Sequence, residues 1–258
     1  MEQELSDTKK DCKQSEQLLA EEQLKEINLT KNKFFSIIAH DLRSPFTSIL
    51  GFARLLQDEY DDFSDDERKM MIGQILDSTE STYQLLDNLL AWTKSQLGKT
   101  IFNPETFTLN SLILESVKQT ISQAKIKQIT ISTSYTENIS LTADLNMMRT
   151  VLRNLLSNAI KFSYPGSEIK LNAETENNML TISVADFGTG MTEEVRQSLF
   201  KLNENLPTTK GTANEKGTGL GLILCREFME RNGGTIAATS EVGKGSTFSI
   251  SLPINPPE

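Results

Sequence analysis

Residues 154–162 read "NLLSNAIKF" and carry two patterns at once. Asn154, Asn158 and Lys161 step by four and three, so they share one face of a helix. Met148, Leu152, Leu155, Ala159 and Phe162 line an apolar face about 100° further round. Such a helix packs its apolar side on a sheet and turns two amides and an amine toward a pocket. Those groups suit Mg2+ and phosphate oxygens. Any single Asn more often caps a helix or meets solvent, so the pattern needs companions.

Two glycine motifs supply them. "ADFGTGM" (185–191) follows the apolar run "LTISV" directly, placing Asp186 at a strand end. Gly188 and Gly190 then allow a sharp turn and close approach of backbone to a ligand. A buried carboxylate there can accept from an exocyclic amine such as adenine's. In "KGTGLGL" (216–222), Gly217, Gly219 and Gly221 precede or open a helix. Glycines at a helix N-terminus expose amides and a positive dipole to phosphate. The motif is neither a Walker loop nor Gly-x-Gly-x-x-Gly. Between the two lies "NENLPTTKGTANE" (203–215), long, polar and turn-rich, which reads as a lid.

Around these motifs the pattern is mixed α/β. Strands are expected at "ITIST", "ISLTA", "EIKLNAE", "LTISVAD", "TIAATS" and "STFSISLP", the last two joined as a hairpin through "EVGKG". Helices are expected over 109–124, 145–162 and 220–231. Upstream, "GKTIFNPETF" reads as a linker, with Gly98 a helix stop.

Before that linker the sequence is helical. Phe35, Ile38, Leu42, Pro45, Ile49, Phe52 and Leu56 recur at alternating steps of three and four. After the acidic loop "QDEYDDFSDDE" a second helix carries Met71, Ile75, Ser78, Thr82, Leu85, Leu89 and Trp92. A parallel row holds Ile72, Leu76, Thr79, Tyr83, Leu86 and Leu90. A stripe this wide serves two neighbours, which one hairpin cannot supply and a dimeric four-helix bundle can. The only histidine of the chain, His40, falls opposite the stripe, with Asp41 on the flank and Ser44 one turn along the outer face. An exposed neutral imidazole beside a carboxylate is a good nucleophile, although a lone surface histidine is the commoner finding.

Composition sets outer bounds. The 258 residues carry a net charge of −9, against nucleic-acid binding. No apolar run is long enough to span a membrane, and no signal peptide opens the chain. Cys12 and Cys225, far apart in sequence, fit a reducing cytoplasm. Residues 1–32 are rich in Glu, Lys and Gln and read as a signalling helix or weak coiled coil. Met1 falls inside that pattern, so the chain reads as a fragment of a longer protein.

Taken together, these boxes resemble the cytoplasmic core of a sensor histidine kinase over about residues 30–256. The H box is "FFSIIAHDLRSPF", the N box "NLLSNAIKF", the glycine boxes "DFGTG" and "GTGLGL", and "GGTIAATSEVGKGSTFSISLP" matches the usual final strands. The resemblance implies a multidomain fold, α then α+β. A dimerisation and phosphoacceptor hairpin at 33–98 forms a four-helix bundle. A two-layer α/β sandwich of GHKL ATPase type follows at 105–258. It implies ATP and Mg2+ as cofactors, a homodimer, a response-regulator receiver domain as partner, and a cytoplasmic location, including the cytoplasmic part of a membrane-bound sensor.

Carried over by position, His40 is the phosphoacceptor and Asp41 its orienting acid. Asn158 ligates Mg2+ with Asn154 in support, Lys161 meets phosphate and Asp186 the adenine amine. Gly188 and Gly190 shape the adenine pocket, and Gly217, Gly219 and Gly221 support the phosphates. Thr247, in "GSTF", resembles a threonine near the adenine. Ser44 stands where the family often has Thr or Asn, implying weak phosphatase activity. Phe200 remains of the family's phenylalanine box, without its second aromatic. A serine/threonine/tyrosine kinase reading of "DFG" fails, because no Gly-rich loop and Val-Ala-Ile-Lys strand precede it. A GHKL ATPase clamp and a non-catalytic dimeric scaffold stay as alternatives.

Overall fold

The computed structural model describes residues 42–96, 102–136, 139–200, 210–213, 215 and 219–254. The expected N-terminal helix (1–32), His40, Asp41, the stop at Gly98, most of the expected lid, and Gly217 lie outside the described residues. The chain divides into two units after Tyr83.

The first unit is helical, and its last helix runs past the boundary at Tyr83 to Gln96. Helix α1 covers 42–58 of the described chain, and a 3-10 turn at Tyr60–Asp62 leads to α2, Asp65–Gln96. The acidic loop is thus shorter than its composition implies, because its first two residues end α1 and its last three begin α2. The start is set by reciprocal capping. Ser64 donates through its backbone N at 2.8 Å and its Oγ at 2.7 Å to Glu67 Oε2. Asp65, Asp66 and Glu67 then place negative charge against the helix dipole. Arg68 fastens the turn, donating from Nε to Tyr60 O at 2.9 Å with its guanidinium 4.1 Å from the Tyr60 ring centroid.

The two rows on α2 separate cleanly. Met71 and Leu85 are buried, and Ile75, Ser78, Thr82 and Leu89 are half-buried. Ile72, Leu76, Tyr83, Leu86 and Leu90 are instead between 44% and 65% exposed. On α1, Leu42, Pro45, Ile49, Phe52 and Leu56 are half-buried, while Phe46 and Leu50 stand outward. One row is covered within the chain. The other is exposed and apolar except at Thr79.

The second unit is a two-layer α/β sandwich. Strands β1 (Glu105–Thr108) and β3 (Ser140–Ala143) form a small antiparallel pair. The main sheet holds β2 (Thr130–Tyr135), β4 (Glu168–Glu176), β5 (Met179–Asp186), β6 (Thr235–Glu241) and β7 (Gly245–Pro253) in the order β2-β4-β5-β7-β6. Only β2 and β4 pair in parallel. The helices are α3 (Leu109–Ile126), α4 (Leu145–Phe162), a short α5 (Glu193–Ser198) and α6 (Leu220–Arg231). The expected "linker" is therefore wrong at its end. "ETFT" is a strand, too short for a periodic signal, with Phe107 its one buried residue.

Alternation along the strands decides where the helices go. Ile169 and Leu171, Leu180, Ile182 and Val184, and Phe248, Ile250 and Leu252 all point to one buried side. Thr181, Ser183, Ser249 and Ser251 alternate to the other side and are half-buried. α4 covers the apolar side, and it is buried over Met148, Val151, Leu152, Leu155, Leu156, Ala159 and Ile160 because α3 and α6 flank it. Its apolar face is wider than the single stripe read from the sequence. Leu155→Ala should lower unfolding free energy by about 3 kcal/mol, measured by urea denaturation, since a fully buried leucine leaves a cavity.

Candidate functional site

A helix ends with carbonyls that lack intrahelical partners. At the end of α4 they are met from three directions. Lys127, in the turn after α3, is buried, and its Nζ lies 2.9 Å from Ile160 O, 2.9 Å from Lys161 O and 3.4 Å from Ser163 O. Thr212 donates its N–H to Lys161 O at 3.1 Å and its Oγ1 to Ser163 O at 2.6 Å. Thr189, in the first glycine motif, donates its N–H to Phe162 O at 3.2 Å. These bonds bring the N box, the "DFGTG" turn and the turn bearing Gly211 and Thr212 to one place.

Gly188 is required there. A Cβ on it would collide with Phe162 O and the Ser163 backbone. Gly190 has φ 62°, and a Cβ would strike Glu241 O. Asp186 ends β5 on the helix-facing side and is buried. Burial pushes its carboxyl pKa up, and N–H donation from Gly188 at 3.0 Å and Ser246 at 3.3 Å opposes that rise. Both donors reach Oδ1, so Oδ2 has no donor among the described residues.

On α4, Asn158 is half-buried and makes no side-chain hydrogen bond among the described residues. Lys161 is half-buried, its Nζ 4.6 Å from the Phe162 ring centroid. Its pKa is lowered to about 8, chiefly by burial, with Glu215 opposing and Lys127 adding to the fall. Asn154 faces α6: its Oδ1 would lie 3.1 Å from a Cβ at Gly221, and its buried Nδ2 has no hydrogen-bond partner among the described residues. Gly221 thus keeps α6 close to α4. Gly219 opens α6 in the left-handed region, φ 67°, with no side-chain cap bond. The first N–H groups of α6 therefore have no capping side chain from Gly219, which suits an anion.

Asn158, Lys161, Asp186, Gly188 and Gly190 thus gather around the end of α4, with Asn154, Gly219 and Gly221 where α6 meets it. Thr247 takes the face of β7 away from the helices, and it lines a cleft of about 340 Å³ together with Asp186, Phe187 and Ser246. The residue opposite Asp186 in the ladder is Ser246, one position earlier. Its Oγ lies 3.0 Å from that of Ser240, which accepts from Met191 N at 2.8 Å. Period-two counting from the core residue Phe248 selects Ser246 from sequence. Lys127 and Glu215 carried no such signal. Ser44 is half-buried on α1, where Ser48 Oγ donates to its carbonyl at 3.4 Å, so it is less open than the outer-face reading implies.

Two family models match the chain in order. The His Kinase A (phospho-acceptor) domain covers residues 30–98, and the histidine kinase-, DNA gyrase B- and HSP90-like ATPase covers 143–256. The chain belongs to the sensor histidine kinases. It is similar to the circadian input-output histidine kinase CikA of Synechococcus elongatus, at 30% identity over 88% of this chain and 30% of CikA. In fold it is similar to the histidine kinase AdeS of Acinetobacter baumannii, with TM-score 0.66 and 22% identity over 84% of this chain and 98% of AdeS. The histidine kinase ThkA, solved in complex with the response regulator protein TrrA, gives TM-score 0.65 and 23% identity over 86% of this chain and 61% of ThkA. The chain spans 22% to 38% of the length of the curated relatives it matches. Among the described residues no helix is long and apolar enough to cross a membrane.

The raised pKa of Asp186 has a consequence for stability. The folded state holds this proton more tightly than the unfolded chain, so the buried charge costs stability above the folded pKa. Asp186→Asn keeps an acceptor for Gly188 and Ser246 and removes that charge. Its melting temperature should exceed the parent's at pH 7, and the difference should shrink toward zero as acid protonates the parent carboxyl.

Proposed function

We propose that this chain phosphorylates its own His40 from Mg·ATP and passes the phosphoryl group to an aspartate on the receiver domain of a response regulator. The observation that carries this reading is the order of the two matched domains. The phospho-acceptor match encloses the only histidine, and the ATPase match encloses Asn158, Lys161 and Asp186, whose Oδ2 has no donor among the described residues. The domain limits that go with it are 33–98 and 105–258. The ThkA–TrrA complex supports the choice of partner class.

In this reading Asp186 Oδ2 accepts from the adenine amine, which selects adenine. The ammonium of Lys161 and the uncapped amides of α6, with Gly219 and Gly221 and by sequence Gly217, meet the phosphates. Among the described residues no three acidic, His or Cys side chains cluster to hold a metal alone. The unpartnered Asn158 amide fits an Mg2+ ion that takes its other ligands from phosphate and water. Bound there, the ion neutralises phosphate charge.

A ring nitrogen of His40 attacks the γ-phosphorus. The bond from γ-phosphorus to the bridging oxygen breaks, and ADP leaves with its electron pair. Asp41 holds the proton on the other ring nitrogen. The resulting phosphoramidate then transfers to the regulator's carboxylate. Because acceptor and nucleotide belong to different domains, the linker at 99–104 lets them meet and part.

Labelled ATP with Mg2+ should give an acid-labile, base-stable phosphoprotein. His40→Gln should abolish the label and retain nucleotide binding. Asn158→Ala should weaken Mg·ATP binding without unfolding. A label surviving His40→Gln would falsify the acceptor assignment. A clamp or scaffold would show no such label in the parent.

The exposed row on α2 makes the homodimer part of the same reading. Leu76→Asp with Leu90→Asp places charge on two residues that the single chain leaves about half exposed. Light scattering should show the parent as a dimer and this double variant as a folded monomer. A variant that stays dimeric would move the interface elsewhere.

A further inference from the structure

Lys127 belongs to neither glycine motif nor to the N box. Its ammonium has three hydrogens and five acceptors within reach. Besides Ile160 O, Lys161 O and Ser163 O, Nζ lies 2.7 Å from Thr212 Oγ1 and 2.7 Å from Glu215 Oε1. Glu215 in turn closes its own turn, accepting from Gly211 N at 2.9 Å through its backbone and from Ala213 N at 2.8 Å through Oε2. The turn is thus a small anionic loop, and the cation that holds it sits at the negative end of the α4 dipole. Gly211 lies directly over the stem of Lys161, where any side chain would strike Lys161 Cγ and Glu215 Oε2.

We propose that Lys127 is a positioning residue for nucleotide binding: it clamps the turn of Gly211, Thr212, Ala213 and Glu215 onto the end of α4, and that turn fixes the side chain of Lys161 for the phosphates. This rests on the ATP-binding reading above. Lys127 acts through Lys161 and touches no ligand itself. The turn that covers Lys161 also sets its charge. Burial, the largest cause of its lowered pKa, comes from packing of this kind, and the charged groups flanking it are Glu215 and Lys127.

The full chain supplies the test through two measurements. Amide hydrogen exchange reads the clamp without nucleotide. In Lys127→Met the amides of Thr212 and Ala213 should exchange at least about tenfold faster than in the parent. Mg·ADP affinity, measured by calorimetry across pH, reads the consequence. Parent affinity should fall as pH rises through about 8, where Lys161 loses its proton. Lys127→Met should weaken Mg·ADP binding at pH 7 by at least about tenfold and move that fall to higher pH, because Lys161 becomes more hydrated and loses a neighbouring cation. Lys127→Arg, restoring charge and donors, should recover most of the loss. A variant that merely softened the fold would lose affinity with its pH midpoint in place, and that result overturns the proposal.

Equal exchange of Thr212 and Ala213 in parent and Lys127→Met also overturns it. Should Lys127→Met fail to fold, Glu215→Gln decides by the same exchange measurement, since Glu215 sits on the outer side of the clamp. A parent that fails to bind Mg·ADP while the exchange difference holds would sink the ATP reading and leave the clamp standing.

Discussion

The unpaired carbonyls at the end of α4 are the constraint on which this site depends. A helix that stops inside a domain must find donors for its last turn. Here the donors come from segments far apart in sequence: Lys127 just before β2, Thr189 just after β5, and Thr212 further still. Satisfying one helix end therefore draws three loops together, and Asn158 and Lys161 lie in that same last stretch of α4. The pocket is a by-product of closing a helix. Gly188 follows from the same geometry, since a Cβ there would strike Phe162 O.

The sheet supplies the second constraint. β5 runs apolar on its helix side through Leu180, Ile182 and Val184, and the next residue on that side is Asp186. The alternation that builds the core thus delivers a carboxylate to the edge of the core, under the turn held by Phe162. β7 does the same with Ser246 after Ile250 and Phe248. Adenine recognition would then be read out from the last rung of a ladder whose other rungs are packing.

Much of this was legible from residues alone, for physical reasons that also explain the misses. The limits of α4 and α6 and the pairing of β6 with β7 follow from long periodic runs and glycine turns. The short strand β1 gave one buried residue and no period, so it read as linker. A motif aligns residues without stating which face they take: Thr247 lines the same cleft as Asp186, while counting by two from Phe248 puts Ser246 on the helix side. Lys127 was invisible for a different reason. A lysine after a helix is ordinary in composition, and its partners lie 33 to 88 residues downstream. Only the folded chain shows that its ammonium is inside.

The charged groups of the second unit sort themselves by how completely they are paired. Lys127 is buried and saturated, with carbonyls, a hydroxyl and a carboxylate around it. Such a charge holds structure, because nothing remains for a ligand to satisfy. Asp186 is equally buried, yet its donors reach one oxygen, and its pKa rises. Lys161 is partly covered, and its pKa falls to about 8. Both are shifted toward the neutral form by the same physical cause, desolvation without full compensation. A ligand offering an amine to one and phosphate oxygens to the other would supply the missing compensation at both. On the proposed reading, incomplete pairing at Asp186 and Lys161 would mark residues that meet a nucleotide, and complete pairing at Lys127 a residue that positions Lys161.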